Sequence, residues 1–266
     1  MPFFDSNARL FYTDEGPRDK PTLLLVHGWT CDSNDWIWQI QPFAAEYRVV
    51  AIDLPGHGRS SADGPFTVRS FADDLAQLLT ALDCRDTVAV GHSLGGVIVS
   101  TLAIEHPAQV RAVVTADAGY GMPPELMAQI ERMTPRLSGP DAPLVAAEIF
   151  TAIEGQEISP ALACWHQRRA IGTPPEVVAK TFLGGFHTPE TFNARHLATR
   201  YLARRTCPVL SVWAESDRAE WELTLALAPG SKVILWPEAG HWLHQSRPEK
   251  FNALVLDWVS ALARFK

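Results

Sequence analysis

The chain has 266 residues, of which 47% are apolar and 20% charged, with a formal net charge of −7 at pH 7. That length and apolar content suit one large α/β domain with room for an inserted segment, rather than two independent domains. The acidic balance and the lack of any Lys/Arg run argue against nucleic acid as a partner, and no apolar stretch approaches the length of a membrane span.

The chain alternates strand and helix signals. Arg9 to Thr13 reads as a short strand, closed by turn residues from Asp14 to Pro21. Thr22-Leu23-Leu24-Leu25-Val26 is a continuous apolar run, as expected of a strand buried on both faces, and it runs into His27-Gly28-Trp29-Thr30. Trp36 to Tyr47 reads as a helix, and Val49 to Ile52 as the next buried strand. Phe71, Leu75, Leu78, Leu79 and Leu82 fall at helical spacing. Thr87 to Val90 is a strand, Val97 to Ile104 a helix and Ala112 to Ala116 a further strand ending at Asp117.

From about Gly119 to Arg200 the strand signals stop. Proline and glycine breakers divide this stretch into short helices, for instance Pro124 to Met133, Pro143 to Ile153 and Glu176 to Phe182. Strands resume at Val209 to Trp213 and Lys232 to Trp236, and Phe251 to Phe265 predicts a closing helix. Alternation of this kind implies a mostly parallel sheet covered on both faces.

Cys31, Cys84, Cys164 and Cys207 are scattered with no C-x-x-C pair, so neither a zinc site nor a disulfide framework is expected. Reduced thiols in a cytoplasmic protein are the simpler reading. Met1 to Asp14 lacks the basic and continuous apolar segments of a secretory signal, which agrees with a cytoplasmic location.

The densest chemical signal is Gly91-His92-Ser93-Leu94-Gly95, between the Thr87–Val90 strand and the following helix. A sharp strand-to-helix turn has no space for side chains two residues either side of its apex. It lifts the Ser93 hydroxyl out of the sheet and sets the Leu94 N–H at a helix N-terminus, where it can stabilise a developing oxyanion.

Four motifs in this order resemble the α/β-hydrolase superfamily: His27-Gly28-Trp29, Asp53-Leu54-Pro55-Gly56-His57-Gly58-Arg59-Ser60, the serine turn, and Ala239-Gly240-His241-Trp242. The resemblance implies an eight-stranded, mostly parallel sheet. It also implies a helical lid at 119–200, inserted after the sixth strand into a core of 1–118 and 201–266. By it, Ser93 is the nucleophile, His241 the base, and the backbone N–H groups of Trp29 and Leu94 the oxyanion donors. His244 lacks the motif match. Asp53 and His57 are assigned to loop structure.

The acid falls between the serine and the final histidine in family order, and two candidates remain. Asp217 follows the Val209–Trp213 strand at the usual position and is the first choice; Asp117, after the preceding strand, is the alternative. Trp29, Tyr120, Trp165 and Trp242 are candidates to line a substrate pocket, while Arg168 and Arg169 read as an exposed helix face. The implied activity is hydrolysis of a small, largely apolar ester or lactone through an acyl-enzyme, with no metal or organic cofactor. The substrate is a small molecule.

Carbon–carbon bond hydrolysis of a keto substrate is the close alternative. A cofactor-independent dioxygenase on the same fold shares the Gly28-Trp29 pair, and an acid at Asp117 would suit it. A dehalogenase or epoxide hydrolase would carry Asp where Ser93 stands. A non-catalytic ligand receptor is the remaining alternative.

Overall fold

The computed structural model describes residues 3–156 and 158–263. The first half of the chain contains the strands β1 (Phe3–Asp5), β2 (Arg9–Glu15), β3 (Thr22–Val26), β4 (Arg48–Ile52), β5 (Thr87–His92) and β6 (Val110–Ala116). Interleaved with them are the helices α1 (Ile37–Ala44), α2 (Val68–Ala81) and α3 (Leu94–Glu105). Five helices follow without a strand: α4 (Pro124–Leu137), α5 (Ala142–Ile153), α6 (Pro160–Gly172), α7 (Pro175–Phe186) and α8 (Arg195–Leu202). The sheet resumes with β7 (Val209–Trp213), α9 (Ser216–Leu223) and β8 (Lys232–Leu235), and the chain closes with α10 (Leu243–Ser246) and α11 (Pro248–Ala263).

The strands form one eight-stranded sheet in the order β1-β2-β4-β3-β5-β6-β7-β8. Only the β1–β2 and β2–β4 pairings are antiparallel; from β4 to β8 the sheet is parallel. Central strands β3, β4, β5 and β7 are buried at every residue, which is why their sequences read as apolar runs rather than alternations. One face packs on α2 and α3 through Leu75, Leu79 and Val97, the other on α1 and α11 through Phe43, Phe251 and Trp258.

The expected alternation is therefore present, with local differences. β1 is too short to show a period in sequence, and as the edge strand it pairs only with β2. Between β6 and β7, α6 and α8 carry no clear helical signal in the sequence because their buried residues do not form a continuous apolar stripe; α6 buries only His166 and Ala170. Helix α8 crosses the expected boundary at residue 200. The closing helix is described to Ala263, so residues 264 and 265 of the expected Phe251–Phe265 helix lie outside the described residues, as do Met1 and Pro2.

Three buried polar side chains shape the loop after β3. Asp53 Oδ1 accepts the Ser33 N–H at 2.8 Å and Oδ2 accepts the Arg59 N–H at 2.8 Å, joining the loops that follow β3 and β4. His57 Nδ1–H donates to the Pro55 carbonyl, leaving Nε2 to accept the Thr30 N–H at 3.2 Å. His27 works in the same way, donating from Nδ1 to Gly28 O and accepting the Leu54 N–H on Nε2 at 2.9 Å. Asp53 and His57 are thus structural, and each imidazole must stay neutral to keep one nitrogen as an acceptor.

A second buried polar group lies at the C-terminal end of β6 and β7. Glu222 accepts from Trp213 Nε1 at 2.7 Å and from the Tyr120 hydroxyl at 3.3 Å, and faces Arg205 Nη2 at 3.4 Å. Neither member of the ion pair has more than 2% of its side chain exposed. Removing one charge from such a pair leaves the other buried without compensation.

Two stability predictions follow from these groups. Arg205→Met should lower the unfolding free energy by about 3 kcal/mol in urea titration, and adding Glu222→Gln should restore part of it. The second concerns pH. Burial pushes His27 down to about 4 and, with His27 beside it, His57 down to about 3, whereas both titrate near 6.5 when unfolded. Below pH 6.5 the unfolded chain binds protons first, so the urea midpoint should fall steadily as pH drops toward 4. His57→Gln retains an acceptor for Thr30 but cannot titrate, and should make that dependence shallower; an unchanged slope would contradict the assignment.

Candidate active site

The serine turn forms because the backbone passes too close to itself for anything but glycine. A Cβ on Gly91 would lie 2.3 Å from Gly95 O, and one on Gly95 would lie 2.2 Å from Val26 O. The strain is concentrated at Ser93, whose φ of +52° and ψ of −115° place a non-glycine residue in the left-handed half of backbone space. Its N–H donates to Ala116 O, and its carbonyl accepts from Gly96 and Gly119 N–H, each at 3.0 Å. These bonds stitch the turn to the end of β6. Helix α3 then begins at Leu94, three residues earlier than its apolar pattern suggests.

Ser93 and His241 line one cavity of about 610 Å³ above the C-terminal edge of the sheet, together with Gly28, Trp29, Leu94 and Trp242. The insertion helices α4, α5 and α7 supply much of its wall, including Leu126, Ile130, Met133, Ile149, Phe182 and Phe186. The walls are therefore largely aliphatic and aromatic.

His241 Nδ1 lies 2.6 Å from Asp117 Oδ2. An ionised carboxylate can only accept, so Nδ1 carries the proton and Nε2 is left free as a base. Asp117 is buried, and its other oxygen accepts from Arg218 Nη2 at 3.0 Å and Ala214 N–H at 3.2 Å. Burial alone would push the Asp117 carboxyl up, but Arg218 and His241 hold it below the usual aspartate range. Arg218 is itself fixed, donating to Ala118 O at 2.9 Å and to Glu215 at 3.2 Å while lying over the Trp213 ring.

The structure pairs His241 with Asp117, the alternative candidate, and not with Asp217, the first choice. Asp217 sits in the first turn of α9 with 61% of its side chain exposed and forms an ion pair with Arg195 of α8. The residue that α9 directs toward the histidine is Arg218, and it reaches there through Asp117. The burial of Arg218, and with it the need for an anionic partner, is visible only in the fold.

The aromatic candidates divide. Trp29 and Trp242 line the cavity. Tyr120 is fully buried beneath it, held against Glu222 and packed on Phe192 and Trp213. Trp165 instead pairs with Trp38 of α1 at 6.0 Å, away from the cavity. Neither Tyr120 nor Trp165 is among the residues lining the cavity. Arg168 is exposed as expected, but Arg169 turns inward to form an ion pair with buried Asp35 and to reach Cys31 Sγ.

The histidine loop rests on other imidazoles. His92 Nε2–H donates to the His241 carbonyl at 3.0 Å, and the His244 ring lies against His92 at 4.6 Å, tilted by 47°. Burial lowers both well below the usual histidine range, and each imidazole lowers the other further or is lowered by neighbouring histidines. Asp35, His92 and His244 also offer ligand atoms within 4.8 Å of one another. The Arg169 guanidinium already neutralises the Asp35 carboxylate there, so this donor set is poorly suited to a divalent ion.

The comparisons agree with this architecture. The chain is 25% identical to epoxide hydrolase 3 of Xenopus tropicalis, over 96% of this chain and 76% of that protein. It is 26% identical to pimeloyl-(acyl-carrier protein) methyl ester esterase of Yersinia enterocolitica, over 89% of this chain and 92% of that one. A thermophilic esterase from Thermogutta terrifontis superposes with a TM-score of 0.79 at 25% identity, covering 96% of this chain and 94% of its own. The alpha/beta hydrolase family pattern matches residues 23–254, and the protein belongs to that family.

Proposed function

We propose that the protein is a serine hydrolase of small, largely apolar carboxylic esters or lactones. The observation that carries this reading is the short His241–Asp117 hydrogen bond beside Ser93, at the floor of a cavity with aliphatic and aromatic walls. Ser93 Oγ attacks the substrate carbonyl carbon as His241 Nε2 takes its proton. The imidazolium, stabilised by Asp117, then returns that proton to the leaving alkoxide. The N–H groups of Trp29 and Leu94 hold the oxyanion. Water repeats the sequence on the acyl-enzyme and releases the acid.

In this reading residues 119–200 are a cap that shapes the acyl and alcohol pockets. The esterase relatives support it, and Ser93 at the turn separates this chain from the aspartate-nucleophile chemistry expected of an epoxide hydrolase. Four free cysteines agree with a cytoplasmic setting. No helix among the described residues is long and apolar enough to cross a membrane.

One observation favours a second reading. An acid at Asp117, after β6, suits a cofactor-independent dioxygenase, in which the His241–Asp117 pair would deprotonate a heteroaromatic substrate before its anion meets dioxygen.

The experiment is labelling with a fluorophosphonate, read by intact mass, beside turnover of aryl esters and lactones. Wild type should take one adduct, while Ser93→Ala takes none. Ser93→Ala and His241→Ala should abolish hydrolysis. Asp117→Asn should reduce kcat by about 10⁴-fold, because the amide favours the wrong imidazole tautomer, while Asp217→Asn stays near wild type. An unlabelled wild type that consumes dioxygen with a hydroxylated heteroaromatic compound would replace hydrolysis by the second reading. Loss of activity in Asp217→Asn but not in Asp117→Asn would overturn the acid assignment.

A further inference from the structure

The Trp29 indole points away from the sheet and into the insertion. Its Nε1–H donates to Thr181 Oγ1 at 3.0 Å and also reaches Val178 O at 3.3 Å, both on α7. Thr181 is fully buried, and its own hydroxyl proton goes to Val177 O at 2.6 Å, so its lone pairs face the indole. Phe182 of α7 and Phe150 of α5 flank the ring at 5.4 and 6.1 Å. The side chain of the residue assigned as one oxyanion donor is thus fixed by a different part of the chain from its backbone.

Helix α7 is firmly placed. At Gly184 it approaches the loop before α2 so closely that a Cβ would fall 1.4 Å from Phe66 O. One residue on, a Cβ at Gly185 would lie 3.2 Å from Leu94 Cδ1, the side chain of the other assigned donor. A single helix, seated on the core backbone, therefore bears on both residues whose N–H groups would bind the oxyanion.

We infer that Thr181 is a positioning residue for the oxyanion hole, acting through the Trp29 indole to set the direction of the Trp29 N–H. This rests on the hydrolase reading and adds to it a residue of the insertion that never touches substrate. A hydrogen-bonded indole has one orientation; released, it can rotate and carry the loop after β3 with it. A donor that is displaced rather than deleted loses part of its stabilisation of the transition state but little ground-state binding.

The test is steady-state kinetics on an aryl ester, with fluorophosphonate labelling rates, for Thr181→Val, Thr181→Ser, Trp29→Phe and the double variant Thr181→Val/Trp29→Phe. Thr181→Val should lower kcat about tenfold with KM little changed, and slow labelling in proportion. Thr181→Ser restores the hydroxyl and should restore the rate. Trp29→Phe should show a similar loss, and the double variant should be no slower than the slower single variant, since both remove one bond. A loss confined to KM, losses that multiply, or a wild-type kcat in Thr181→Val would overturn the assignment while leaving a labelled Ser93 and the hydrolase reading intact. A wild type that neither labels nor hydrolyses esters would remove both.

Discussion

Two segments distant in sequence, one following β7 and one following β8, meet at the carboxylate of Asp117. One oxygen holds the imidazole of His241, from the loop after β8; the other holds Arg218, from the first turn of α9, and the Ala214 N–H at the end of β7. A carboxylate buried with fewer partners would be neutral, and a neutral acid could donate its own proton and spoil the histidine tautomer. Arg218 is what allows the charge to persist there. The backbone of Asp117 is also unusual, with φ at +42°, so the strand ends in a conformation that turns the side chain across the sheet edge.

That arrangement explains which parts of the site could be read in the sequence. Ser93 and His241 were legible because local sterics mark them: the glycines around Ser93 are demanded by backbone contacts under 2.5 Å, and Gly240 before His241 sits against the backbone of Gly155. The acid carries no such mark. Two aspartates, each at the end of a parallel strand, differ only in what surrounds them in space, and the Arg195 that draws Asp217 aside lies 22 residues away in sequence. The same reasoning applies to Tyr120 and Arg169, whose partners Glu222 and Asp35 lie 102 residues away in the first case and across the insertion boundary in the second.

The strands were legible for a similar reason. β3, β4 and β7 are covered on both faces, so burial imposes an apolar residue at nearly every position, and an uninterrupted run is hard to mistake. The insertion helices lie over a cavity and meet solvent on several sides. Apolar residues of α4, α5 and α7 serve the cavity wall as well as one another, while α6 contributes none to that wall and buries only His166 and Ala170.

The helices between β6 and β7 are also bound to the loops after β3 and β8 more tightly than their place in the chain suggests. The His241 N–H donates to Ile153 O at the end of α5, at 3.2 Å. His166 of α6 stacks on Trp242 at 4.0 Å, and its Nε2–H donates to Gln245 Oε1 at 2.8 Å. Helix α7 meets the loop after β3 through Thr181 and Phe182. Under the proposed function the reacting groups come from the sheet edge, while the loops after β3 and β8 are held by bonds from α7 and α5, helices that also line the cavity. A cavity built in this way cannot be reshaped independently of the site beneath it. Under the proposed function, substitutions in α5 or α7 that reshape the cavity therefore bear also on the histidine loop or the loop after β3. Among the described residues α4 faces the cavity and makes none of these bonds to the two loops, so under the proposed function it is where specificity can vary at least cost to the rate.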